Sequence, residues 1–463
     1  MPAAESLYRR RSLWLDGLPG ALEPRPALAA DESCDVAIVG AGFTGLWTAY
    51  YLAALQPRLR IVVVEREIAG FGASGRNGGW VSAFVAGDPH LYARAHGADA
   101  VVRAERATFA AVAEVGRVAG LEGIDCGFRH DGSLSIAFSA PQLARLQGSV
   151  AAKHRRGLLP ADVRMLEPGE LDGYVRVPGA RGASFSPHCA RVDPARLARG
   201  LADACERRGV TIYERTEATG IGAGRVVCTN GTISAPMIVR ATESFTIEQP
   251  GESRRFLPLY SLMVATEPLA DSVWAELGWH GCQTISDAHH LFFYAQRTTD
   301  GRIAIGGRGA PYRLGSPIDP SHEQNAGVRE RLVLAIRRHF PAAASAEVTH
   351  HWGGPLAVPR DWSMGISIDR VRGLAFAGGY SGHGVVAAHV SGRTLADLIL
   401  ERESDLTTLP WVGHRARNWE PEPLRFLASR AIVAVLGSSD RFEDRTDRPA
   451  RRTRLVQPFV LGR

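Results

Sequence analysis

The chain has 463 residues and a net charge of +6, with 45% hydrophobic and 22% charged residues, which excludes a disordered protein and is typical of a soluble globular one. The basic residues are spread along the chain and form no stripe, so no nucleic-acid partner is predicted. Of the 54 basic residues, 53 are arginine and one, Lys153, is lysine. Any chemistry that requires a side-chain amine must therefore use Lys153.

The sequence carries no secretion or membrane-span signal. Residues 1–30 lack the apolar core of a secretory signal, and no apolar run reaches the length of a transmembrane helix. The six cysteines have neither C-x-x-C nor zinc-finger spacing, which favours reduced thiols. We expect a cytoplasmic protein with no membrane span. One apolar segment, 424–436, is predicted to be a helix docked on the body, with a membrane-surface helix as the alternative.

Residues 35–65 predict a buried strand, a glycine turn, a helix and a second buried strand that ends on an acid. In this pattern Gly40 permits the tight turn, Gly42 lets the backbone approach a pyrophosphate, and Gly45 lets helix and strand pack closely. The helix N-terminus directs free N–H groups at the phosphates. Glu65 lies at the spacing where a carboxylate accepts hydrogen bonds from a ribose diol. The segment predicts a dinucleotide site.

Other glycine-rich and strand-rich segments follow. Residues 70–79 hold five glycines, which indicate backbone lying against something flat or charged. Residues 373–384 repeat the order of strand, glycine loop and helix, but without the fingerprint spacing or a following strand that ends on an acid. A single dinucleotide site is therefore predicted. Strand-like segments dominate residues 255–350, which we interpret as part of an antiparallel sheet covering a ligand cavity.

Taken together, four segments resemble the D-amino acid oxidase-like superfamily of FAD-dependent oxidoreductases, and within it the gamma-glutamylputrescine oxidase-type proteins. The segments occur in the family's order and are 34–46, 70–79, 294–307 and 379–386. The strings Ala-Ser-Gly-Arg-Asn-Gly-Gly at 73–79 and Tyr-Ser-Gly-His-Gly at 380–384 are the most specific.

The resemblance implies an α/β fold with an FAD-binding Rossmann-like, doubly wound domain and an antiparallel-sheet α+β substrate domain. Both domains are discontinuous in sequence. The implied boundaries are an N-terminal arm at 1–30, an FAD-binding domain at 31–88, 190–250 and 351–403, a substrate domain at 89–189 and 251–350, and a C-terminal extension at 404–463.

The same resemblance implies which residues hold the cofactor. The pyrophosphate would lie against the first glycine loop, the AMP ribose near the end of the second strand, and the flavin between two later loops. At the ring, a helix N-terminus would stabilise negative charge. The implied contacts are Gly40, Ala41, Gly42, Phe43, Thr44 and Gly45 at the pyrophosphate, Glu65, Arg66 and Ala218 at the AMP end, Ala73, Ser74, Arg76, Asn77, Gly78 and Gly79 along the ribityl chain and ring, and Gly379, Tyr380, Gly382, His383, Gly384 and Val385 at the pyrimidine end.

Three departures limit how far the resemblance extends. Sarcosine oxidase-like members use a lysine near the flavin, but Lys153 lies in a helical segment far along the chain from these motifs, so Arg302 is expected to supply a positive charge instead. Residues 351–361 contain no cysteine for a covalent flavin bond, so FAD is expected to be non-covalent. Glu243 stands where many relatives have asparagine or glycine, and its role is left open.

The resemblance implies oxidation of a C–N bond in a small-molecule amine or amino acid. Hydride leaves the carbon beside a neutral amine for flavin N5, and the imine is hydrolysed. The candidate catalytic residues are His383, Tyr294 and Arg302, each weighed against a structural role as helix cap, core aromatic or surface arginine. Arg76 is a second candidate for a substrate carboxylate. No metal is predicted, because adjacent histidines at 289–290 and 350–351 face opposite sides of a strand.

Two alternatives remain open at this stage. A flavin monooxygenase would consume NADPH, but no second nucleotide fingerprint is present. A non-catalytic partner protein would bind FAD only for stability. The electron acceptor, O2 or another molecule, is not set by the sequence.

Overall fold

The computed structural model describes residues 2–307 and 312–460. Met1 of the predicted arm, 308–311 of the predicted substrate domain and 461–463 of the predicted extension lie outside the described residues. The strands are β1 Glu32–Ser33, β2 Val36–Val39, β3 Ile61–Val64, β4 Trp80–Ser82, β5 Ser133–Ala137, β6 Arg164–Leu166, β7 Gly182–Ser186, β8 Cys189–Arg191, β9 Thr211–Tyr213, β10 Ala218–Gly222, β11 Arg225–Cys228, β12 Gly231–Ser234, β13 Met237–Arg240, β14 Leu257–Thr266, β15 Thr284–Asp287, β16 Phe293–Arg297, β17 Ile303–Gly307, β18 Val348–Val358, β19 Gly365–Asp369 and β20 Leu374–Gly378. The α-helices are α1 Pro2–Arg9, α2 Leu13–Asp16, α3 Phe43–Leu55, α4 Pro89–His96, α5 Ala98–Leu121, α6 Ala140–Arg155, α7 Pro168–Leu171, α8 Pro194–Arg207, α9 Asp271–Leu277, α10 Ala326–His339, α11 Gly384–Ile399, α12 Leu424–Thr446 and α13 Thr453–Val460.

A six-stranded sheet of order β19-β20-β13-β2-β3-β9 forms the nucleotide-binding layer. All neighbours are parallel except β19 and β20. The strands β2 and β3 are buried along their whole length, as expected for a parallel sheet covered on both faces. Helix α11 approaches α3 closely because Gly392 has no side chain, and a Cβ there would lie 2.5 Å from the Cβ of Trp47. These elements give the predicted α/β class.

An eight-stranded sheet of order β18-β14-β17-β16-β15-β5-β7-β6 forms the second layer. All neighbours are antiparallel except β15 and β5. The domain boundary predicted at residue 351 falls inside β18, which pairs with β14 from Val348 to Val358. Residues 351–358 therefore belong to the eight-stranded sheet, a correction to the sequence prediction, because each of them pairs with a residue of β14.

Helix α5 is a second place where the structure differs from the predicted domain boundaries. Its buried side chains, Val101, Val112, Val115 and Val118 among them, join the hydrophobic core that packs on the six-stranded sheet. Although the sequence prediction assigned this helix to the substrate domain, its apolar face is buried with the nucleotide-binding layer.

The N-terminal arm is anchored by α2. Leu15 is fully buried, and Trp14 packs edge-to-face against Trp352 at 6.1 Å between ring centroids. The Trp14 indole N–H donates to the carbonyl of Asn77 at 2.8 Å. The arm therefore contacts the glycine-rich loop directly.

The C-terminal extension docks through the acidic end of α12. The Asp440 carboxylate accepts the backbone N–H groups of His290 and Leu291 at 2.9 and 3.0 Å, and Glu443 pairs with Arg145 at 2.7 Å. The predicted docked helix is thus seen, and it extends ten residues beyond its predicted end at Leu436, to Thr446. Among residues 2–307 and 312–460, no helix combines the length and apolar character needed to cross a bilayer.

Candidate active site

One cavity of about 770 Å³ lies between the two large sheets and brings together most of the predicted cofactor-binding residues. Its lining includes Gly40, Gly42, Phe43, Thr44, Glu65, Arg66, Ala73, Ser74, Arg76, Asn77, Gly78, Ala218, Tyr294, Tyr380, Gly382, His383, Gly384 and Val385. Four of the predicted cofactor-binding residues are not part of the lining but adjoin lining residues in the chain, namely Ala41, Gly45, Gly79 and Gly379.

The first glycine loop is tight because side chains are excluded from it. Gly40 has φ +105°, and a Cβ there would lie 2.6 Å from the carbonyl oxygen of Ala241. A Cβ at Gly45 would lie 1.9 Å from the Gly40 carbonyl oxygen, so α3 begins directly against the loop. Gly42 caps α3, and the first turn of the helix directs its free N–H groups at the cavity.

Glu65 closes the other side of this loop. Its carboxylate accepts the N–H of Ala41 at 2.9 Å and the N–H of Glu67 at 3.0 Å. Burial raises the pKa of Glu65 to about 7, although both N–H groups act to lower it. The carboxylate still has lone pairs that face the cavity and are able to accept hydrogen bonds from a ribose.

The glycine-rich loop at 70–79 is tied to the first loop and to itself. The Ser74 hydroxyl accepts the N–H of Phe43 at 2.8 Å, at the first turn of α3. The Asn77 amide donates to the carbonyls of Ala73 and Ser74, and its oxygen accepts the N–H of Gly79 at 2.7 Å. Side chains of this segment therefore hold the loop, and its backbone remains turned to the cavity.

Strand β16 packs against the same loop without a gap. A Cβ at Gly78 would lie 2.7 Å from Cε2 of Tyr294, and one at Gly79 would lie 2.1 Å from Nε2 of Gln296. The Gln296 amide donates to the Gly78 carbonyl at 2.7 Å. The glycines at these positions permit contact between the two domains at the centre of the cavity.

Arg76 is held by a structural ion pair. Its buried guanidinium lies 2.7 Å from the carboxylate of Glu323 and stacks over Phe71. The prediction that Arg76 pairs with a substrate carboxylate is therefore corrected, because a carboxylate of the protein occupies that position.

Arg302 lies outside the cavity lining. Its guanidinium donates to the Thr266 carbonyl at 2.9 Å and to the Thr349 hydroxyl at 3.0 Å, and it pairs with Asp300. The prediction that Arg302 supplies a positive charge beside the flavin is wrong in this structure, because its side chain ties the ends of three strands together.

The N-terminus of α11 brings the third predicted segment to the cavity. The Tyr380 hydroxyl lies 2.7 Å from the hydroxyl of Thr44 in α3, which joins the loop before α11 to α3. The His383 ring stacks on Phe84 at 4.1 Å between centroids, and both rings line the cavity. Phe84 was missed by the sequence analysis, since a lone exposed phenylalanine carries no pattern.

Glu243, whose role the sequence left open, supports this segment. Its buried carboxylate accepts the N–H groups of Gly379 and Tyr380 at 3.0 and 3.3 Å. Burial raises the pKa of Glu243 to about 7. Glu243 thus links the end of β13 to the loop that begins α11.

The cavity continues past Tyr294 as a chamber lined by hydroxyl groups, hereafter the serine chamber. In the sheet register Tyr294 is opposite Ser286, Ser286 is opposite Ser135, and Ser135 is opposite Ser184. A second row places Ser133 opposite Ser186. The sequence analysis missed this chamber, although the alternation Ser-Leu-Ser-Ile in β5 is a period-2 signal of a sheet with one polar face.

Helix α6 forms the opposite wall of the serine chamber. It packs against β5, β6 and β7 and presents Leu146, Ser149 and Lys153, which share one helix face, to the cavity. Lys153 is far along the chain from the flavin-binding motifs, and the structure places it in the lining of the same cavity. Burial lowers the pKa of Lys153.

The residues of this cavity fit FAD. The chain supplies two helix N-termini, α3 and α11, an acid at the end of β3, and the glycine-rich main chain of the 70–79 loop in the cavity lining. Close packing at Gly40 and Gly45, where a Cβ would collide with backbone, brings the start of α3 against the end of β2, and Gly42 puts no side chain between the main chain and the cavity, where a pyrophosphate would lie.

A group of potential metal ligands lies elsewhere, where α12 docks. Ligand atoms of His290, Asp440 and Glu443 lie within 4.8 Å of one another. The two carboxylates already accept backbone N–H groups or pair with Arg145, so the group reads as a docking contact. That no metal binds stays a prediction.

Comparison with known proteins agrees with this geometry. A model of the family described as FAD dependent oxidoreductase (DAO) matches residues 35–398, most of the chain. The chain belongs to this family. It binds FAD and is an oxidoreductase that acts on amines or amino acids. The C-terminal extension lies beyond the matched segment.

Individual relatives resemble the chain over most of its length. It is 29% identical over 399 residues to gamma-glutamylputrescine oxidoreductase of Escherichia coli, which covers 84% of this chain and 89% of that protein. It is 26% identical over 377 residues to glycine oxidase of Bacillus licheniformis, covering 79% and 93%. The solved structure of glycine oxidase from Geobacillus kaustophilus shares the fold, with a TM-score of 0.70, 22% identity and coverage of 84% and 100%.

Proposed function

We propose that the chain oxidises the C–N bond of a small-molecule amine or amino acid and releases an imine that water hydrolyses. One observation carries the proposal. The first glycine loop, the 70–79 loop and the N-terminus of α11 form the FAD cradle. This cradle and the serine chamber are parts of one continuous cavity, so a substrate in the chamber has direct access to the flavin end. FAD, when bound, accepts the hydride that leaves the carbon beside the amine nitrogen.

The protein residues orient the substrate and favour charge at the ring end. The Tyr294 hydroxyl lies 2.7 Å from the Ser261 hydroxyl, which fixes the aromatic wall between cradle and chamber. The N-terminus of α11 favours negative charge where the third segment meets the cavity. A catalytic base is not required when the amine binds in its neutral form, so positioning accounts for most of the protein's share.

The proposal is tested by anaerobic addition of amines and amino acids to the purified yellow holoenzyme. We expect one class to bleach the flavin absorbance. Bleaching by NADPH, with no response to any amine, would refute the proposal and favour a monooxygenase. Peroxide formation on re-admission of air distinguishes O2 from another acceptor. Non-covalent attachment is tested by acid precipitation, which should leave the flavin in solution.

His383 is proposed to contact the flavin. Replacing it by alanine removes the ring that stacks on Phe84 and should weaken FAD binding or slow flavin reduction. An H383A variant with unchanged affinity and unchanged reduction rate would remove His383 from the site. The cytoplasmic location stays a prediction.

A further inference from the structure

Among the residues that the structure describes, the serine chamber contains one cation, Lys153, whose side chain has no hydrogen-bond or ion-pair partner. Asp287, a carboxylate of the lining, and two carboxylates outside the lining, Asp162 and Glu105, are paired with other cations. Asp287 pairs with His289, and Asp162 lies 2.8 Å from Arg106. Glu105, the carboxylate whose field reaches Lys153, is held by Arg156 at 2.7 Å.

Lys153 takes part in none of these ion pairs. Within residues 2–307 and 312–460, its amine makes no hydrogen bond or ion pair to the protein, and it lines the cavity beside serine hydroxyls. A partly buried ammonium without a partner is unfavourable, and an anion brought by a ligand relieves that cost. The serine hydroxyls add neutral donors and acceptors but no competing charge. The chamber is therefore suited to a group with negative charge.

The position of the chamber sets the length of the ligand. From Tyr294 on β16 to Ser184 on β7 the row of paired residues crosses three strand intervals, about 14 Å at about 4.8 Å per interval. Helix α6, which carries Lys153, packs against β5, β7 and β6, the strands at this far end of the row. A ligand that reaches both ends of the row must be extended.

We propose that Lys153 binds a carboxylate at the remote end of an extended amine substrate, whose amino end lies at the flavin side of Tyr294. This inference rests on the proposed amine oxidation and adds the substrate class: linear amines with a carboxylate about 14 Å from the reacting carbon. Lys153 is thus a specificity-determining residue that acts at a distance from the chemistry.

The test compares charged and neutral substrates of equal length. Linear ω-amino carboxylic acids of increasing chain length, and their carboxamides, are mixed anaerobically with wild-type holoenzyme and with K153Q, K153R and R155Q. Arg155 is the matched control, because it is an exposed cation in the last turn of the same helix. Linear alkyl carboxylates without an amine are titrated in parallel, with the perturbation of flavin absorbance as the binding signal.

We expect wild type to prefer the carboxylate over the carboxamide at the matching length. K153Q should raise KM for the carboxylate about 10- to 100-fold, with kcat and the carboxamide nearly unchanged. K153R should retain part of the preference, and R155Q should behave as wild type. K153Q should also lose binding of the alkyl carboxylates.

Several results would overturn the inference. One is an equal rise in KM for carboxylate and carboxamide in K153Q, which would indicate a structural role. Another is a preference for the carboxylate that survives in K153Q. The third is a wild type that neither prefers the carboxylate nor binds the alkyl carboxylates. If no amine reduces the wild-type flavin, the proposed function fails by itself, and the alkyl carboxylate titration still decides whether Lys153 binds an anion.

Discussion

Replacing Glu65 by glutamine should weaken FAD binding through the AMP half of the cofactor. The carboxylate accepts the N–H groups of Ala41 and Glu67, and its free lone pairs are expected to accept the ribose hydroxyls. A hydrogen bond to a charged acceptor contributes about 2 kcal/mol, and glutamine offers one neutral oxygen in place of two charged ones. The loss of one such bond raises the dissociation constant about 30-fold.

The pH dependence of binding gives a second signature of Glu65. Its pKa of about 7 in the protein without ligand lies above the usual 4.5, so the folded protein binds this proton more tightly than the unfolded chain. The associated stability is present below pH 4.5 and is lost as pH rises through about 7. Ribose hydroxyls favour the ionised carboxylate, so FAD affinity should increase through pH 7 in wild type and stay flat in E65Q.

The assay is quenching of flavin fluorescence during titration of the apoprotein with FAD and with FMN, which lacks the AMP half. Glu67→Gln is the matched control, because Glu67 lies two residues away, accepts the Tyr8 hydroxyl at 3.1 Å and is absent from the cavity lining. E65Q should lose FAD affinity and keep FMN affinity. Equal FAD affinities for E65Q and E67Q, or an equal loss for FMN, would refute the assignment of Glu65 to the ribose.

Two further predictions concern residues away from the cofactor. Arg302→Gln should lower the free energy of unfolding, measured in urea, by about 1–2 kcal/mol, because the hydrogen bonds of Arg302 between strand ends are lost. The rate of flavin reduction should stay as in wild type. A slower rate would show that Arg302 does act at the active site. Burial acts to lower the pKa of His289, but hydrogen bonds to Asp287 and Asp444 outweigh it and raise the pKa to about 10. Protonated His289 should therefore add at most about 5 kcal/mol to the free energy of unfolding below pH 6.5, and this contribution should be lost as pH rises through about 10. His289→Gln should remove this pH dependence, measured by urea unfolding from pH 6 to 10.5. His350→Gln, the control, removes a ring that lies 3.2 Å from Asp16 elsewhere in the protein and should keep it.

On the cofactor side, glycine spacing predicted the first loop, and the family resemblance implied the other two segments. The turn at Gly40, the helix start at Gly42 and the loop at 70–79 each depend on backbone conformations and close approaches that a side chain would prevent. The first glycine loop, the 70–79 loop and the loop before α11 all line the same cavity. Their assembly required no knowledge of the register of the eight-stranded sheet.

The substrate side could not be predicted in the same way. Tyr294 lies on β16 and Arg302 in the turn just before β17, yet Tyr294 lines the cavity while Arg302 binds the strand ends, and only the geometry of this hairpin decides the difference. Lys153 lines the chamber because α6 packs against β5 and β7, a contact that no local sequence pattern predicts. The serines of β5 did show an alternating pattern, but their neighbours on β15 come from a segment about 150 residues later.

The order of strands in the six-stranded sheet bears on how the chain is made. Strand β13 lies between β2 and β20, so until residue 378 has left the ribosome β13 is an open edge of a parallel sheet. The loop before α11 follows directly, and so the flavin end of the cradle is completed only near the end of synthesis. FAD therefore meets a closed site only after translation of almost the whole family-matched segment, and a chain arrested earlier exposes a strand edge prone to association.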